Sequence, residues 1–368
     1  MRVVVKIGSS SLVTEDGALR GAAVSKLAAE VARAITDGHQ VVVVTSAAIA
    51  TGLRPFGFDP HDRPRDEAIL RAASAVGQIH LMATYQAALA AEGLVSGQVL
   101  LAPTDFWFRN RYLKSRDTIS ALLAHRAVPV INENDAVADD DIRFGDNDRL
   151  AALVAHLIDA DRLVLLTDTA GLFTADPRAD TDASLIEEII EFDQRLEEMA
   201  GGPGSSAGRG GMASKLAAAK IATWSGVATV IAQADRPRVI NDAMAGADGI
   251  GTTFRPRAAR LSARKLWIAF ALRSTGRIVV DDGARRALTE RSSSLLPAGI
   301  RKIEGTFPAD DAVEVADQDG EVFAKGLVRW SSEQLGLHAG RRTSEVPDDL
   351  TDEVIHRDDL VMLPAASA

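Results

Sequence analysis

Short runs of consecutive apolar residues, rich in valine and isoleucine, alternate with longer Ala- and Leu-rich stretches from residue 1 to about residue 254. Residues 3–7, 40–45, 96–101, 128–132, 162–167 and 228–232 read as strands. Their apolar positions do not alternate, which marks strands covered on both faces. Between them, residues 21–38, 66–92, 114–126, 147–159 and 212–226 read as helices. Gly38 and Gly226 stand just past the last apolar residue of two of these, where helices commonly stop. Strand and helix in alternation predict an α/β fold with a mainly parallel sheet sandwiched between helices.

The texture changes after Arg255. The stretch RPRAARLSARK is basic and contains proline, so residues 257–275 read as a linker behind a first domain of residues 1–256. Shorter strands with turn signals follow at 277–280, 299–304, 312–315 and 322–330, a small β-rich domain over 276–364. There is no internal repeat.

Composition narrows the function. A chain of 368 residues with 46% hydrophobic content can bury a sizeable core and suits two domains. The net charge of −10 argues against non-specific binding to nucleic acid or an anionic membrane. With no cysteine, disulfides, thiolate metal sites and cysteine nucleophiles are excluded. The seven histidines show no ligand spacing, so no transition-metal site is expected. Lys6 breaks the first apolar run and no run approaches the ~20 residues of a membrane span, so a cytoplasmic location is expected.

In an open parallel sheet, ligands bind beyond the carboxyl ends of the strands. At those ends stand Lys6 with Gly8-Ser9-Ser10, then Thr45-Ser46-Ala47, then Asn132-Glu133-Asn134-Asp135 leading to Gly145-Asp146-Asn147-Asp148, and Thr167-Asp168. Gly208-Arg209-Gly210-Gly211 opens a further helix that carries Lys215. Each has a plainer explanation: Ser46 and Asn147 suit helix N-caps, Asp168 a turn, and Lys6 a side chain reaching out from a strand end. The glycine stretch also departs from the G-x-x-x-x-G-K-[ST] phosphate loop, because Ser214 precedes Lys215 and Leu216 follows it. Their gathering on one rim fits phosphoryl transfer, which needs positioning and positive charge more than covalent chemistry. Lys6 and Lys215 could supply the charge, an aspartate between them could orient both, and backbone N–H groups at the glycine turns could hold phosphate oxygens. No general base stands out, which suits an acceptor that is already ionised, such as a carboxylate of pKa about 4.3.

Taken in order, VVVKIGSS, VVVVTSAAIA, VPVINENDAV, IRFGDNDRLAALVA, LLTDTAGLFTADPR and GRGGMASK resemble the successive motifs of the glutamate 5-kinase family, of the amino acid kinase fold. The tail, GRIVVDDGA through SSLLPAGI to VIHRDDL, resembles the PUA domain that many of these enzymes carry. The resemblance implies ATP-dependent phosphorylation of the γ-carboxylate of L-glutamate, the first step of proline synthesis. It implies that Lys6 and Lys215 stabilise the transferring group and that Asp148 orients them. Ser46, Ala47, Asp135 and Asn147 would meet glutamate, with Asn134 and Asp146 close by. Lys6, Gly8, Thr167 and Asp168 would lie against ATP. Arg209, Gly210, Gly211, Met212, Ala213, Ser214 and Lys215 would wrap its phosphates, and Mg2+ would be held mainly by those phosphates. It further implies a homo-oligomer, dimer or tetramer, with proline as feedback inhibitor and a glutamyl phosphate reductase as a partner.

Two positions depart from the family pattern. T-S-G-A is usual where Thr45-Ser46-Ala47-Ala48 stands, and G-T-G-G where Gly208-Arg209-Gly210-Gly211 stands. Should the backbone at Ala47 have positive φ, its Cβ adds strain of about 1 kcal/mol. Two other readings stay open: a kinase-like regulator impaired at Ala47, and an RNA-binding protein using the PUA tail and the basic stretch before it.

Overall fold

The computed structural model describes the chain apart from residues 15, 60–61, 107, 138–146, 176–179, 181, 191, 193–195, 197–210, 258–260, 271, 273, 348–349 and 364–368. It forms two compact units, Met1–Arg260 and Leu261–Ala368.

The first unit holds one sheet built from β1 (Arg2–Ile7), β2 (Gln40–Val44), β3 (Val95–Leu101), β4 (Ala127–Glu133), β5 (Arg162–Thr167), β6 (Glu188–Ile189), β7 (Ala228–Gln233) and β8 (Thr252–Phe254). Their order is β3-β4-β2-β1-β5-β7-β8-β6. The first six in that order are parallel, as expected. β8 runs antiparallel to β7, and β6 runs parallel to β8. These last two strands were not foreseen, because two or three residues show no periodicity.

The helices are α1 (Ser9–Leu12), α2 (Gly21–Thr36), α3 (Ala48–Leu53), α4 (Glu67–Ala91), α5 (Arg109–Ala124), α6 (Asn147–Leu157), α7 (Met212–Trp224) and α8 (Val239–Ala245). β1 shows how the sheet assigns its faces. Side chains alternate along a strand. Val3, Val5 and Ile7 join the core formed with α2 and α4, including Val24, Leu27, Leu81 and Leu89. Val4 and Lys6 therefore point to the opposite face, where α6 packs on β1 and α7 on α6. The strand thus aims one lysine at the helices while its neighbours fill the core.

α4 begins where Asp66 accepts a hydrogen bond from the Ile69 N–H at 3.2 Å, a side-chain cap of the free first turn. It then crosses α3 in direct backbone contact. A Cβ placed on Gly77 would lie 1.8 Å from the Ala48 carbonyl oxygen and 2.6 Å from the Gly52 nitrogen. One on Gly52 would lie 1.8 Å from the Ala73 carbonyl oxygen. No rotamer relieves a clash between backbones.

The second unit carries α9 (Ala263–Phe270), β9 (Gly276–Val280), α10 (Asp282–Arg291), β10 (Ile300–Gly305), β11 (Ala312–Ala316), β12 (Val322–Leu327), α11 (Ser332–His338) and β13 (Leu360–Met362). The sheet order is β10-β9-β11-β12-β13, antiparallel except between β9 and β11. Ile278, Val280, Leu288, Val315, Phe323 and Trp330 lie in its core. Within residues 257–275, which read as a linker, the structure has a helix. This helix, α9, buries Leu266 and Ile268, and packs on β12 and β13. Arg264 pairs with Asp359 at 2.5 Å, so the charge that suggested a solvated linker is partly matched inside the unit. Among the described residues, no helix is long and apolar enough to cross a membrane.

Replacing Gly77 by alanine is expected to destabilise the first unit by about 3 kcal/mol, the upper part of the range for overpacking, read as a lower midpoint in denaturant unfolding. An unchanged midpoint would contradict the close approach of α3 and α4.

Candidate functional site

Lys6 leaves β1 toward α6, and the first turn of α6 supplies Asp148 in return. The Lys6 Nζ lies 2.5 Å from Asp148 Oδ1. Lys215, in the first turn of α7, places its Nζ 3.3 Å from Asp148 Oδ2. Asp148 is fully buried, and the lysines are 3% and 5% exposed. One carboxylate thus aligns two cations that stand 209 positions apart in sequence. The partial positive charge of a helix N-terminus further favours the aspartate. A Cβ on Gly8 would lie 3.6 Å from Lys6 Nζ, so the glycine leaves room beside that ammonium.

Both lysines open onto a cavity of about 1060 Å³ beyond the carboxyl ends of the strands. Of the residues expected from the sequence, Lys6, Gly8, Ser46, Ala47, Asp135, Asn147, Thr167 and Lys215 line it. Asp148 stands behind the two lysines. Asn134 is not on the lining; its backbone N–H donates to the Leu101 carbonyl at 2.9 Å. Asp168 lines a separate small cavity of about 100 Å³ which shares Thr167, and its Oδ1 accepts from the Thr167 hydroxyl at 3.0 Å. Gly211 precedes α7 in extended conformation and brings no side chain to cap it, while Met212, Ala213 and Ser214 form the first turn with Lys215. Such a turn presents backbone N–H groups to an anion. Asp146, Arg209 and Gly210 lie outside the described residues.

Ser46 is not a helix cap. Ala47 holds the N-cap position of α3, and the Ser46 hydroxyl accepts from Ser9 at 3.0 Å and donates to the Ile7 carbonyl at 3.3 Å. Asn147 is the first residue of α6 rather than the residue before it. Its Nδ2 donates to the Thr45 carbonyl at 2.5 Å and to Asn132 Oδ1 at 2.6 Å. Asp135 accepts from the Ser74 hydroxyl at 2.6 Å. Ser74 belongs to α4, which also sends Gln78 to Asn132 and Tyr85 to Thr45. These three were missed in sequence because polar residues scattered through an Ala-rich helix read as its solvent face. Arg63 and Arg65, also unforeseen, line the cavity from the α3–α4 connection.

The arrangement has the parts for moving an anionic group: two aligned ammonium groups, a helix N-terminus, and carboxylate and amide oxygens across the cavity. Comparison with known proteins agrees. An amino acid kinase family model matches residues 1–233, and a PUA domain model matches residues 276–350. A glutamate 5-kinase of Chromobacterium violaceum is 46% identical over 369 residues, covering 98% of this chain and 98% of the relative. Glutamate 5-kinases of Pelobacter propionicus and Burkholderia multivorans are 43% and 45% identical, each covering 98% of this chain and 97% and 98% of the relative.

Ala47 has φ +81° and ψ 3°, the left-handed region, and is 7% exposed. The positive φ meets the condition on which strain at this alanine depended. An L-residue pays about 1–2 kcal/mol there, whereas glycine is free to adopt it but loses more entropy on folding. Ala47→Gly is therefore expected to raise stability in denaturant unfolding by up to about 1 kcal/mol. A destabilised variant would contradict the strained turn.

Proposed function

The chain belongs to the amino acid kinase family, among its glutamate 5-kinases, and we propose that Lys6, Lys215 and Asp148 are the machinery with which it phosphorylates the γ-carboxylate of L-glutamate from ATP. The observation that carries this is the buried Lys6–Asp148–Lys215 unit at the floor of the cavity. Burying three charges is costly. The cost has a use where negative charge gathers during reaction, as on the oxygens of a transferring phosphoryl group.

In this reading, glutamate lies with its α-carbon end toward Ser46, Ala47, Asp135 and Asn147, near Asn134 and Asp146. ATP lies along Gly8, Thr167, Asp168 and residues 209–215. A γ-carboxylate oxygen forms a bond to the γ-phosphorus while the bond to the bridging oxygen of ADP breaks. A free glutamate side chain titrates near about pH 4.3, so the carboxylate is already ionised at neutral pH and no group has to remove a proton. Lys6 and Lys215 stabilise the charge on the moving group, and Asp148 keeps both pointed at it. Among the described residues no cluster of three or more acidic or histidine side chains is disposed to hold a metal. Mg2+ would enter on the ATP phosphates and add charge neutralisation there.

A cytoplasmic enzyme, assembled as a dimer or tetramer and inhibited by proline over the glutamate site, completes the reading. Glutamyl 5-phosphate is a labile acyl phosphate, so a reductase that consumes it promptly is a fitting partner. RNA recognition has weaker support. In the basic stretch, Arg255 bonds Glu188 through Nε at 2.6 Å and Nη2 at 2.9 Å. The Arg257 guanidinium lies 4.6 Å from the centroid of the Trp224 ring, and Arg264 pairs with Asp359.

Purified protein with ATP, Mg2+ and L-glutamate is expected to give an acyl phosphate trapped by hydroxylamine, matched by ADP. Lys215→Ala should lower kcat by about 10²–10³-fold. An absence of glutamate-dependent turnover would contradict the substrate, and an unimpaired Lys215→Ala variant the role of the lysine.

A further inference from the structure

Helix α4 contributes buried polar side chains that the phosphoryl transfer itself does not use. Ser74, Gln78, Leu81 and Tyr85 follow one another at intervals of four, three and four, so they share one face of the helix. Leu81 fills the core. The other three end in polar atoms, yet are only 4%, 8% and 1% exposed. Each meets a different segment at the strand ends. The Ser74 hydroxyl donates to Asp135 Oδ2 at 2.6 Å. Gln78 Oε1 accepts from Asn132 Nδ2 at 2.8 Å. The Tyr85 and Thr45 hydroxyls share a bond of 2.9 Å, and burial pushes the Tyr85 phenol up, so it stays a neutral hydroxyl.

Backbone groups fix the sense of the amides in this network. The Glu133 N–H donates to Asn132 at 3.0 Å, so the atom it meets is the oxygen. The Asn132 nitrogen must then face Gln78, which turns its own oxygen to receive it. Asn147 meets the Thr45 carbonyl, so the atom it offers is the nitrogen. The second hydrogen of that nitrogen goes to Asn132 Oδ1 at 2.6 Å. Both amide hydrogens of Asn147 are committed to protein. Its remaining polar atom, Oδ1, can only accept.

Asp135 and Asn147 both line the cavity; the polar atoms of the first are carboxylate oxygens, and the atom the second has left is Oδ1. Oxygen acceptors suit an ammonium and repel a carboxylate. We propose that α4 is the specificity element of the substrate site. Ser74 and Gln78 are positioning residues that turn Asp135 and Asn147 so that their oxygens receive the substrate α-ammonium. They thereby select an α-amino dicarboxylate over the same dicarboxylate without its amine. This inference rests on glutamate being the acceptor.

The test compares glutamate with glutarate, which lacks only the amine. Gln78→Met keeps length and removes the acceptor for Asn132; Ser74→Ala removes one hydroxyl, and Ser74→Thr restores it. Each folded variant is assayed for the KM of glutamate, the KM of ATP and the inhibition constant of glutarate against glutamate. In Gln78→Met and Ser74→Ala the glutamate KM is expected to rise about tenfold, the size of one lost charge-linked hydrogen bond. The ATP KM and the glutarate constant should stay within about twofold, and Ser74→Thr should recover most of the loss. An unchanged glutamate KM, or a glutarate constant rising in parallel, would overturn the inference. If Gln78→Met fails to fold, the Ser74 pair decides it. Calorimetric titration of the wild-type protein separates the two levels: no glutamate binding removes the substrate assignment, while equal binding of glutamate and glutarate overturns this inference alone.

Discussion

Two lysines held by one fully buried aspartate are the constraint around which the first unit is organised. Such a unit does not exist for stability. Each buried charge gives up several kcal/mol of hydration, and replacement by packed apolar residues is often neutral or better. It persists only if the surrounding fold determines all three positions. The sheet does this. β1 lies fourth of eight strands, and its alternation sends Lys6 to the face covered by α6. α6 and α7 pack against each other on that face, so their first turns bring Asp148 and Lys215 together. Residues 6, 148 and 215 meet because three segments end at one rim.

The opposite side of the cavity depends on a different economy of space. Gly52 and Gly77 let α3 and α4 touch through their backbones. That approach brings the polar face of α4 under the strand ends, where Ser74, Gln78 and Tyr85 reach Asp135, Asn132 and Thr45. The β2–α3 turn is held by the same helix, and at its tip Ala47 occupies a left-handed conformation. Thr51, one turn into α3, bonds the Ala47 carbonyl at 2.9 Å and the Gly77 carbonyl at 3.3 Å, tying turn to helix. The helix that bonds Asp135, Asn132 and Thr45 and the helices that carry Asp148 and Lys215 therefore lie on opposite faces of one sheet.

The six parallel strands were legible in sequence because their valine and isoleucine runs admit no other layered packing. So were the five longest helices among the described residues of the first unit. α3 and α8, at six and seven residues, were too short to show a period. α11 could have been found: Ser331 and Gln334 form a reciprocal capping box, and S-x-x-Q was present in the sequence. α9 was hidden by its arginine and lysine, although Leu266 and Ile268 are buried. In the site, Lys6 was read from a strand end and Lys215 from the helix behind the glycine-rich loop, while the resemblance alone singled out Asp148 among the aspartates nearby. The support from α4 was not legible, since hydrogen bonds between residues such as Gln78 and Asn132 leave no local pattern. The one available signal was polar Ser74, Gln78 and Tyr85 in register with buried Leu81 on a face that should have been wholly apolar.

The most direct measurement is steady-state kinetics of Asp148→Asn, with folding checked by circular dichroism. Asparagine keeps the shape and removes the charge that aligns both lysines. With the protein folded, kcat should fall by at least about 100-fold while the KM of glutamate changes by no more than a few-fold. A kcat within about threefold of wild type would contradict the view that one buried carboxylate orients both cations for the transfer.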